Sequence, residues 1–247
     1  MAMLTTKNRP TRLFRLGVPV ALLLLCTFLV WLTDADLRVA RAVYEPEKIW
    51  PGLGRFPWDL LYNYASVPAF LLAGTACAIL LAGFVGRQLA GLRKQSLFFL
   101  LMFALGPGLV VNVLLKENLG RARPGDVHEF GGDFRFTQFW QPGTSTLNKS
   151  FPSGHAAVAF YVIAPWFVLR RRKTGQAYCW LAGGLGYGTL VGAGRILQGG
   201  HFLSDVLWSA GLVYLSGELL AQLMSLDRES PATEPNSNPI KLPHQRQ

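Results

Sequence analysis

Two histidines, an aspartate and several cations occur in three short segments, each at the edge of an apolar stretch. The segments run from Lys116 to Pro124, from Phe151 to His155, and from Gly194 to Asp205. Imidazole can act as a nucleophile or as a general acid, and Lys and Arg side chains bind phosphate oxygens. If the three segments meet in space, they can form a site for phosphoryl transfer.

The third segment carries a histidine with a carboxylate close by. His201 and Asp205 are four residues apart, which on a helix places both on one face. A carboxylate beside an imidazole fixes its tautomer and stabilises a positive charge on the ring. Gly199 and Gly200 directly precede His201 and would let the backbone approach a ligand closely. The alternative interpretation is a purely structural His–Asp pair.

The second segment is expected to begin a helix, with Ser153 or Gly154 as its cap and His155 in its first turn. The unpaired N–H groups at a helix N-terminus, together with the helix dipole, bind anions. Three cations would complete a site for a dianionic phosphate, namely Lys116, Arg123 and Arg195. The histidines and acids show no metal-ligand spacing, so the predicted chemistry is phosphoryl transfer without a metal or other cofactor.

Long apolar runs are the elements that must position these residues. The chain has 247 residues, of which 51% are hydrophobic and only 15% are charged, whereas soluble domains average about 25% charged residues. Most of the runs are close to the ~20 residues that a helix needs to cross a bilayer. The sequence therefore predicts an all-α membrane protein with six transmembrane helices, near residues 16–33, 65–86, 96–115, 155–169, 177–194 and 205–225.

The formal net charge of +10 is divided unevenly between alternate loops. The N-terminus, the loops 87–95 and 170–176 and the tail carry 14 Lys and Arg against 3 acids, whereas the other loops carry 10 of each. The positive-inside rule then places both termini in the cytoplasm and the three segments on the opposite side. Orientation accounts for the basic charge, so no nucleic-acid partner is expected.

The chain is predicted to hold one domain with two short flanking regions. These are a cytoplasmic N-terminus (1–15), a six-span domain (16–225), and a cytoplasmic tail (226–247) whose Pro, Asn and Ser content predicts disorder. In the fifth span Gly184, Gly188 and Gly192 share one helix face, which allows close helix packing. Packing inside the chain is favoured for this face, and a homodimer interface is the alternative.

The three segments resemble the motif set of the type 2 phosphatidic acid phosphatase (PAP2) superfamily, which also includes vanadium haloperoxidases. That set has a Lys six residues before Arg-Pro, then Pro-Ser-Gly-His, then Ser-Arg followed at fixed spacing by His and Asp. Lys116 and Arg123-Pro124 match the first motif, and Pro152–His155 matches the second. The third is matched by Arg195, His201 and Asp205, with Gly194 in place of the serine. That departure removes one donor to phosphate.

The resemblance implies a PAP2-type helical bundle and a phosphatase that works through a phosphohistidine. It implies that His201 is the nucleophile, that Asp205 orients it, and that His155 is the general acid and later helps to activate water. The phosphate oxygens would be held by Lys116, Arg123, Ser153, the Gly154 amide and Arg195. Arg121 is outside the motif and is interpreted as a lipid-headgroup contact.

A membrane location and a site near the interface favour a lipid phosphate as substrate and membrane lipids as partners. The aromatic loop 125–151 is expected either to shape the entrance or simply to anchor at the interface. Segments 128–132 and 139–141 look similar to bacterial members that act on lipid A phosphates, which implies the bacterial inner membrane with the site facing the periplasm. Undecaprenyl pyrophosphate, phosphatidylglycerol phosphate and phosphatidic acid stay open as substrates.

Two other functions compete with a phosphatase. A lipid phosphotransferase on the same scaffold would pass the phosphoryl group to another lipid hydroxyl in place of water. A membrane transporter could use charges at the span edges as an ion path. The transporter is disfavoured because the charges gather at one face and do not line the middle of the spans.

Overall fold

The computed structural model describes residues 12–44, 49–143, 145 and 148–226. Within these residues every regular element is helical, apart from one isolated bridge between Val127 and Phe134. The predicted all-α class is therefore confirmed. The tail predicted to be disordered lies outside the described residues from position 227 onward.

Ten α-helices follow one another along the described chain. They are α1 (Arg12–Leu32), α2 (Ala35–Val43), α3 (Trp58–Tyr64), α4 (Val67–Val85), α5 (Arg93–Phe103), α6 (Lys116–Leu119), α7 (Gly154–Phe160), α8 (Ala164–Leu169), α9 (Thr174–Leu197) and α10 (Leu203–Leu223). A π-helical segment, Ala104–Leu115, joins α5 to α6, and short 3₁₀ turns occupy Ala90–Leu92, Pro124–Asp126, His128–Phe130 and Tyr161–Ile163.

Four helical stretches of the described chain are long and apolar enough to cross a membrane, so this is an integral membrane protein. They are Leu13–Leu32, Trp58–Val85, Ala90–Asp126 and Leu203–Leu223. The predicted fourth span is an apolar but shorter helical stretch, Gly154–Leu169. The predicted fifth span, α9, has 24 residues, but its many glycines make it less apolar. Length and composition thus support four of the six predicted spans.

The outer helices expose apolar side chains as a lipid-facing protein should. Phe28 on α1 is 51% exposed, and Phe70 and Leu71 on α4 are 59% and 66% exposed. An apolar surface this large is unusual for a protein in water, but it has no such cost against hydrocarbon. These helices therefore lie on the outside of the bundle, and α7 and α8 lie at its centre, where Ala156, Ala157 and Ala159 are fully buried.

The glycine face of α9 is used inside the chain. A Cβ on Gly188 would lie 2.1 Å from the ring of Phe160, and one on Gly192 would lie 2.3 Å from Val206. A Cβ on Gly184 would likewise lie 2.6 Å from Ile163. Because real Cβ atoms do not approach so closely, the glycines are what allow α9 to pack against the α7–α8 stretch and α10. The favoured interpretation, packing within the chain, agrees with this structure.

Span three is interrupted where a proline occurs. Pro107 lacks an N–H group and cannot complete the α-helical hydrogen-bond ladder, and the segment around it is π-helical. The side-chain nitrogen of Asn112 donates to the carbonyl oxygen of Pro107 at 2.7 Å. The segment delivers Asn112 and Lys116 to the N-terminus of α7, where the predicted chemistry is centred.

Candidate active site

Backbone contacts bring the three motif segments together at one end of the bundle. The Ser153 N–H donates to the carbonyl oxygen of Asp205 at 3.2 Å, and the Gly125 N–H donates to that of Gly199 at 3.0 Å. The first contact joins the second motif to the third, and the other joins the loop after Pro124 to the third. The sequence prediction that distant segments meet in space is therefore met by the fold.

The N-terminus of α7 faces the first motif. Ser153 is the N-cap residue, and its Oγ accepts from the Ala156 N–H at 3.4 Å. A Cβ on Gly154 would lie 2.6 Å from Oδ1 of Asn112 and 3.2 Å from Nζ of Lys116. The Lys116 ammonium group thus lies directly at the first turn of α7, and a side chain at position 154 would push the Asn112 amide aside and crowd the ammonium group.

His201 and Asp205 are adjacent, although not as neighbours on one helix face. α10 begins at Leu203, so His201 precedes it, and Asp205 lies in its first turn. The Asp205 Oδ2 accepts from the N-cap Phe202 N–H at 2.8 Å. Its distance to Nδ1 of His201 is 3.5 Å. The helix-face interpretation was wrong, because the capping carboxylate turns back toward the preceding loop.

Burial sets the protonation state of His201. The side chain is only 2% exposed, and loss of hydration lowers its pKa to about 4, while Asp205 opposes the shift. Arg195 and Lys116 lower it further. At neutral pH the ring is therefore uncharged. Nδ1 lies 3.5 Å from Asp205 Oδ2 without a close hydrogen bond, so Nε2 is the ring nitrogen that does not face this carboxylate.

His155 is held by aromatic contact. Its ring stacks on Tyr62 from α3, with centroids 4.8 Å apart and planes inclined by 26°. The guanidinium carbon of Arg195 lies 4.6 Å from the centre of the same tyrosine ring, and its Nη1 donates to Oε1 of Gln198 at 2.5 Å. Tyr62 thus fixes one predicted acid and one predicted phosphate ligand, and it was not among the residues predicted.

The remaining predicted cation is solvent-accessible. Arg123 is exposed, and its charge acts on both Lys116 and His155, as does that of Arg195. The structure therefore gathers the eight predicted site residues at one end of the bundle. Their individual roles stay predictions. Among the described residues, no three His, Cys, Asp or Glu side chains form a group able to hold a metal ion.

Two glycines of the third motif, Gly194 and Gly200, have close neighbours that leave little room for a side chain. A Cβ on Gly194 would lie 3.1 Å from the Trp58 ring, so the indole crowds the space that the family serine would need. A Cβ on Gly200 would lie 2.3 Å from Nη2 of Arg195, so glycine leaves room there for the guanidinium group. Close approach of a ligand to this backbone stays a prediction.

Arg121 does not contact lipid headgroups, and this prediction was wrong. The residue is 1% exposed. Its Nη1 donates to Oδ1 of Asp205 at 2.5 Å, and its Nη2 donates to Oδ2 of Asp36 at 2.8 Å. Two carboxylates can compensate the cost of burying a guanidinium group. The only signal in the sequence was an arginine two positions before a motif arginine, and nothing marked Asp36.

The aromatic loop packs mostly against the protein. Phe130 is buried between Tyr44 and Trp50, and Phe136 contacts the Phe202 ring beside His201. Trp140 is 48% exposed. Tyr44 and Trp50 belong to the segment that contains α2 and leads to α3. Most of these aromatic side chains therefore pack against the loops of the site and do not extend from the surface.

Comparison with known proteins places these features in a family. Residues 95–228 match the model of the PAP2 superfamily. Over 140 residues, the chain is 35% identical to the lipid A 4'-phosphatase of Francisella tularensis subsp. novicida, covering 56% of this chain and 61% of that protein. Over 121 residues, it is 36% identical to the lipid A 1-phosphatase of Rhizobium johnstonii, covering 48% and 41%. The chain thus spans less than two thirds of the length of either relative.

A solved structure shares the fold. The PAP2-type phosphatidylglycerolphosphate phosphatase from Bacillus subtilis superposes with a TM-score of 0.54, covering 85% of this chain and 96% of that one, at 22% identity. At that identity the likeness concerns the fold alone. The family match spans more than half of the chain and includes all three motifs. The chain therefore belongs to the PAP2 superfamily.

Proposed function

We propose that this protein is a lipid phosphatase that releases inorganic phosphate without a metal ion, with a lipid A phosphate as the favoured substrate. The observation that carries the proposal is the state of His201. It is an uncharged, buried imidazole with a carboxylate at Nδ1, and Lys116 and Arg195 act on it electrostatically. A neutral ring beside cations that attract phosphate is suited to attack phosphorus.

In the first step Nε2 of His201 attacks phosphorus, and a P–N bond forms as the bond to the lipid oxygen breaks. The leaving oxygen takes a proton from His155, which binds that proton together with the substrate because the dianionic phosphate offsets the charge of the surrounding cations. Positive charge develops on the His201 ring, and Asp205 stabilises it at Nδ1. Lys116, Arg123, Arg195 and the donors at Ser153 and Gly154 hold the three phosphoryl oxygens and neutralise their charge.

In the second step water attacks the phosphohistidine. His155, now neutral, accepts a proton from the water, and the P–N bond breaks with its electron pair returning to His201. Inorganic phosphate leaves, and both rings regain their starting states. No redox partner is required. The same covalent intermediate would serve a phosphotransferase if a lipid hydroxyl replaced water.

We propose six membrane spans with both termini in the cytoplasm and the site facing the periplasm of a bacterial inner membrane. The fold supports a site on one side of the membrane. The Ser204 N–H at the start of α10 donates to Asp36 just after α1, so the end of α1 and the start of α10 lie at the same end of the bundle as the site. At the other end, Arg170 pairs with Glu218 near the basic loop 170–176. In a cysteine-free background, a cysteine placed in residues 130–143 should react with an impermeant reagent added outside the cell. Labelling from the cytoplasmic side alone would overturn the topology.

A phosphate-release panel tests the substrate. Purified enzyme in detergent would receive lipid A phosphorylated at the 4' position alone, lipid A phosphorylated at the 1 position alone, undecaprenyl pyrophosphate, phosphatidylglycerol phosphate and phosphatidic acid. Release of free phosphate from lipid A that continues in the presence of a chelator supports the proposal. A phosphorylated second lipid without free phosphate indicates the phosphotransferase. Strict dependence on an added metal ion contradicts the mechanism.

A further inference from the structure

A buried charged cluster lies behind the proposed nucleophile. It consists of Asp36, Arg121, Ser204 and Asp205, all at most 3% exposed. Arg121 donates to Asp205 and to Asp36 through different nitrogens, and its Nη1 also donates to Ser204 Oγ at 2.8 Å. Ser204 in turn binds Asp36 through its N–H at 2.8 Å and its hydroxyl at 2.6 Å. Every charged group in the cluster has a partner.

The two oxygens of Asp205 are divided between two tasks. Oδ1 accepts from Arg121. Oδ2 accepts from Ser150 Oγ at 2.6 Å and from the Phe202 N–H at 2.8 Å, and it is the oxygen that faces His201. Because Asp36 occupies Nη2, Arg121 engages Asp205 through one nitrogen and does not form a two-pronged pair. The Asp205 carboxylate is therefore held with one oxygen directed at the imidazole.

The formal charges of the cluster leave one negative charge uncompensated. Two carboxylates and one guanidinium sum to −1 in a region without solvent contact. The positive charge that would compensate it is the one that arises on the His201 ring during attack on phosphorus. Removing the charge of Asp36 would make the cluster neutral, and Asp205 would then be bound more tightly by Arg121 and stabilise the ring less.

We propose that Arg121 and Asp36 are positioning residues that act through Asp205 to favour formation of the phosphohistidine. This inference rests on the proposed role of His201 as the nucleophile. Arg121 also packs on the neighbour of that histidine, since its guanidinium carbon lies 4.5 Å from the centre of the Phe202 ring. The cluster thereby holds in place both the carboxylate that faces His201 and the loop that contains His201.

A merely structural role predicts loss of stability without a specific effect on the chemical step. A matched control is offered by a second buried ion pair in the described part of the chain, Arg170–Glu218, where Glu218 is 0% exposed. Glu218 lies at the opposite end of α10 from Asp205. Asp36→Asn and Glu218→Gln therefore each neutralise one buried carboxylate paired with an arginine, one behind the site and one remote from it.

The experiment measures phosphoenzyme formation by rapid quench into alkali, with lipid A carrying a radiolabelled phosphate at saturating concentration. We expect Asp36→Asn to slow formation of the alkali-stable phosphohistidine by about tenfold or more while KM changes by less than about threefold. Glu218→Gln should remain within about twofold of wild type in the same assay. Arg121→Lys, which keeps a charge but loses the forked geometry, should be slowed at least as much as Asp36→Asn.

Melting temperature in detergent shows that each variant compared is folded. A folded Asp36→Asn protein that forms phosphoenzyme at the wild-type rate would overturn the inference, as would an equal slowing in Glu218→Gln. Failure of the proposed function gives a different result, because wild type would then form no phosphohistidine or His201→Ala would still form one.

Discussion

The two histidines of the site share nearby cations but differ in their other neighbours. His201 is buried in the loop before α10, with a carboxylate at Nδ1 and the Arg121 cluster behind that carboxylate. His155 is half-buried in the first turn of α7, against the face of Tyr62 and among cations. A ring backed by negative charge is stabilised when it becomes positive, as a nucleophilic imidazole does. A ring whose neighbouring cations weaken its hold on a proton is suited to give that proton away once substrate is bound. The difference supports the proposed roles of His201 as nucleophile and His155 as acid.

The largest expected effect comes from the buried ring. His201→Ala should reduce turnover by about 10³-fold or more and leave no phosphoenzyme, because the atom that bonds to phosphorus is gone. Phosphate release and alkaline trapping measure both effects. His128→Ala is the control, since His128 is exposed in the loop and the structure shows its ring bonded only to the Gly132 carbonyl oxygen within the described residues. Full activity in His201→Ala would reverse the assignment.

The second test uses the leaving group. His155→Ala should lower turnover of a lipid alkoxide ester by about 10²–10³-fold, because the poor leaving group loses its proton donor. The aryl oxide of an aryl phosphate can leave without taking a proton, so the first step with this substrate should be slowed far less than with the lipid. The comparison is a burst of phenol release in the variant and in wild type. Equal losses on the two substrates would show that His155 is not the acid.

A smaller effect is expected from the aromatic support. Tyr62→Leu removes the face that contacts His155 and Arg195, and we expect a loss in kcat/KM of about three- to tenfold. Tyr62→Phe keeps the ring and should stay close to wild type. Steady-state kinetics on the same lipid measure both. If Tyr62→Phe lost as much kcat/KM as Tyr62→Leu, the hydroxyl of Tyr62 and not its ring would be the group that matters.

The smallest effect concerns stability and pH. Burial lowers the pKa of His201 to about 4 from 6.5, so between these values the chain takes up a proton there on unfolding. The free energy of unfolding should therefore decrease as pH falls through this window, by at most about 1.4 kcal/mol per pH unit from this group. The melting temperature of His201→Ala should depend less on pH than that of wild type. Parallel curves would contradict the burial effect.

The sequence points to the residues proposed to perform chemistry more readily than to those that support them. A nucleophile, an acid and phosphate ligands need particular residue types at fixed spacing, so Lys116, His155 and His201 could be proposed for these roles. Asp36 pairs with Arg121 from 85 positions away, a relation that no local pattern encodes. Arg121 was misread for the same reason, because a surface arginine and a buried one have the same sequence signature.

Local geometry was predicted less well where capping competes with helix periodicity. The four-residue spacing of His201 and Asp205 suggested one helix face, but the carboxylate caps the N-terminus of α10 and the histidine lies before the helix. Likewise the uniform hydrophobicity of the run at 96–115 gave no sign of the π-helical segment that begins at Ala104 and contains Pro107. An apolar run predicts that a segment lies in the membrane, but it does not predict whether the backbone hydrogen bonds there are α-helical or π-helical.

The π-helical segment has a consequence for how this protein can change in evolution. Each residue of a regular helix turns the chain by about 100°, so one residue deleted between Phe103 and Lys116 would swing the ammonium group away from α7. Elsewhere a lipid-facing helix tolerates small changes in length by tilting. Here the number of residues sets the direction in which Lys116, a proposed phosphate ligand, leaves the helix. The length of this stretch is therefore constrained by chemistry as well as by bilayer thickness, and insertions or deletions should be tolerated least within it.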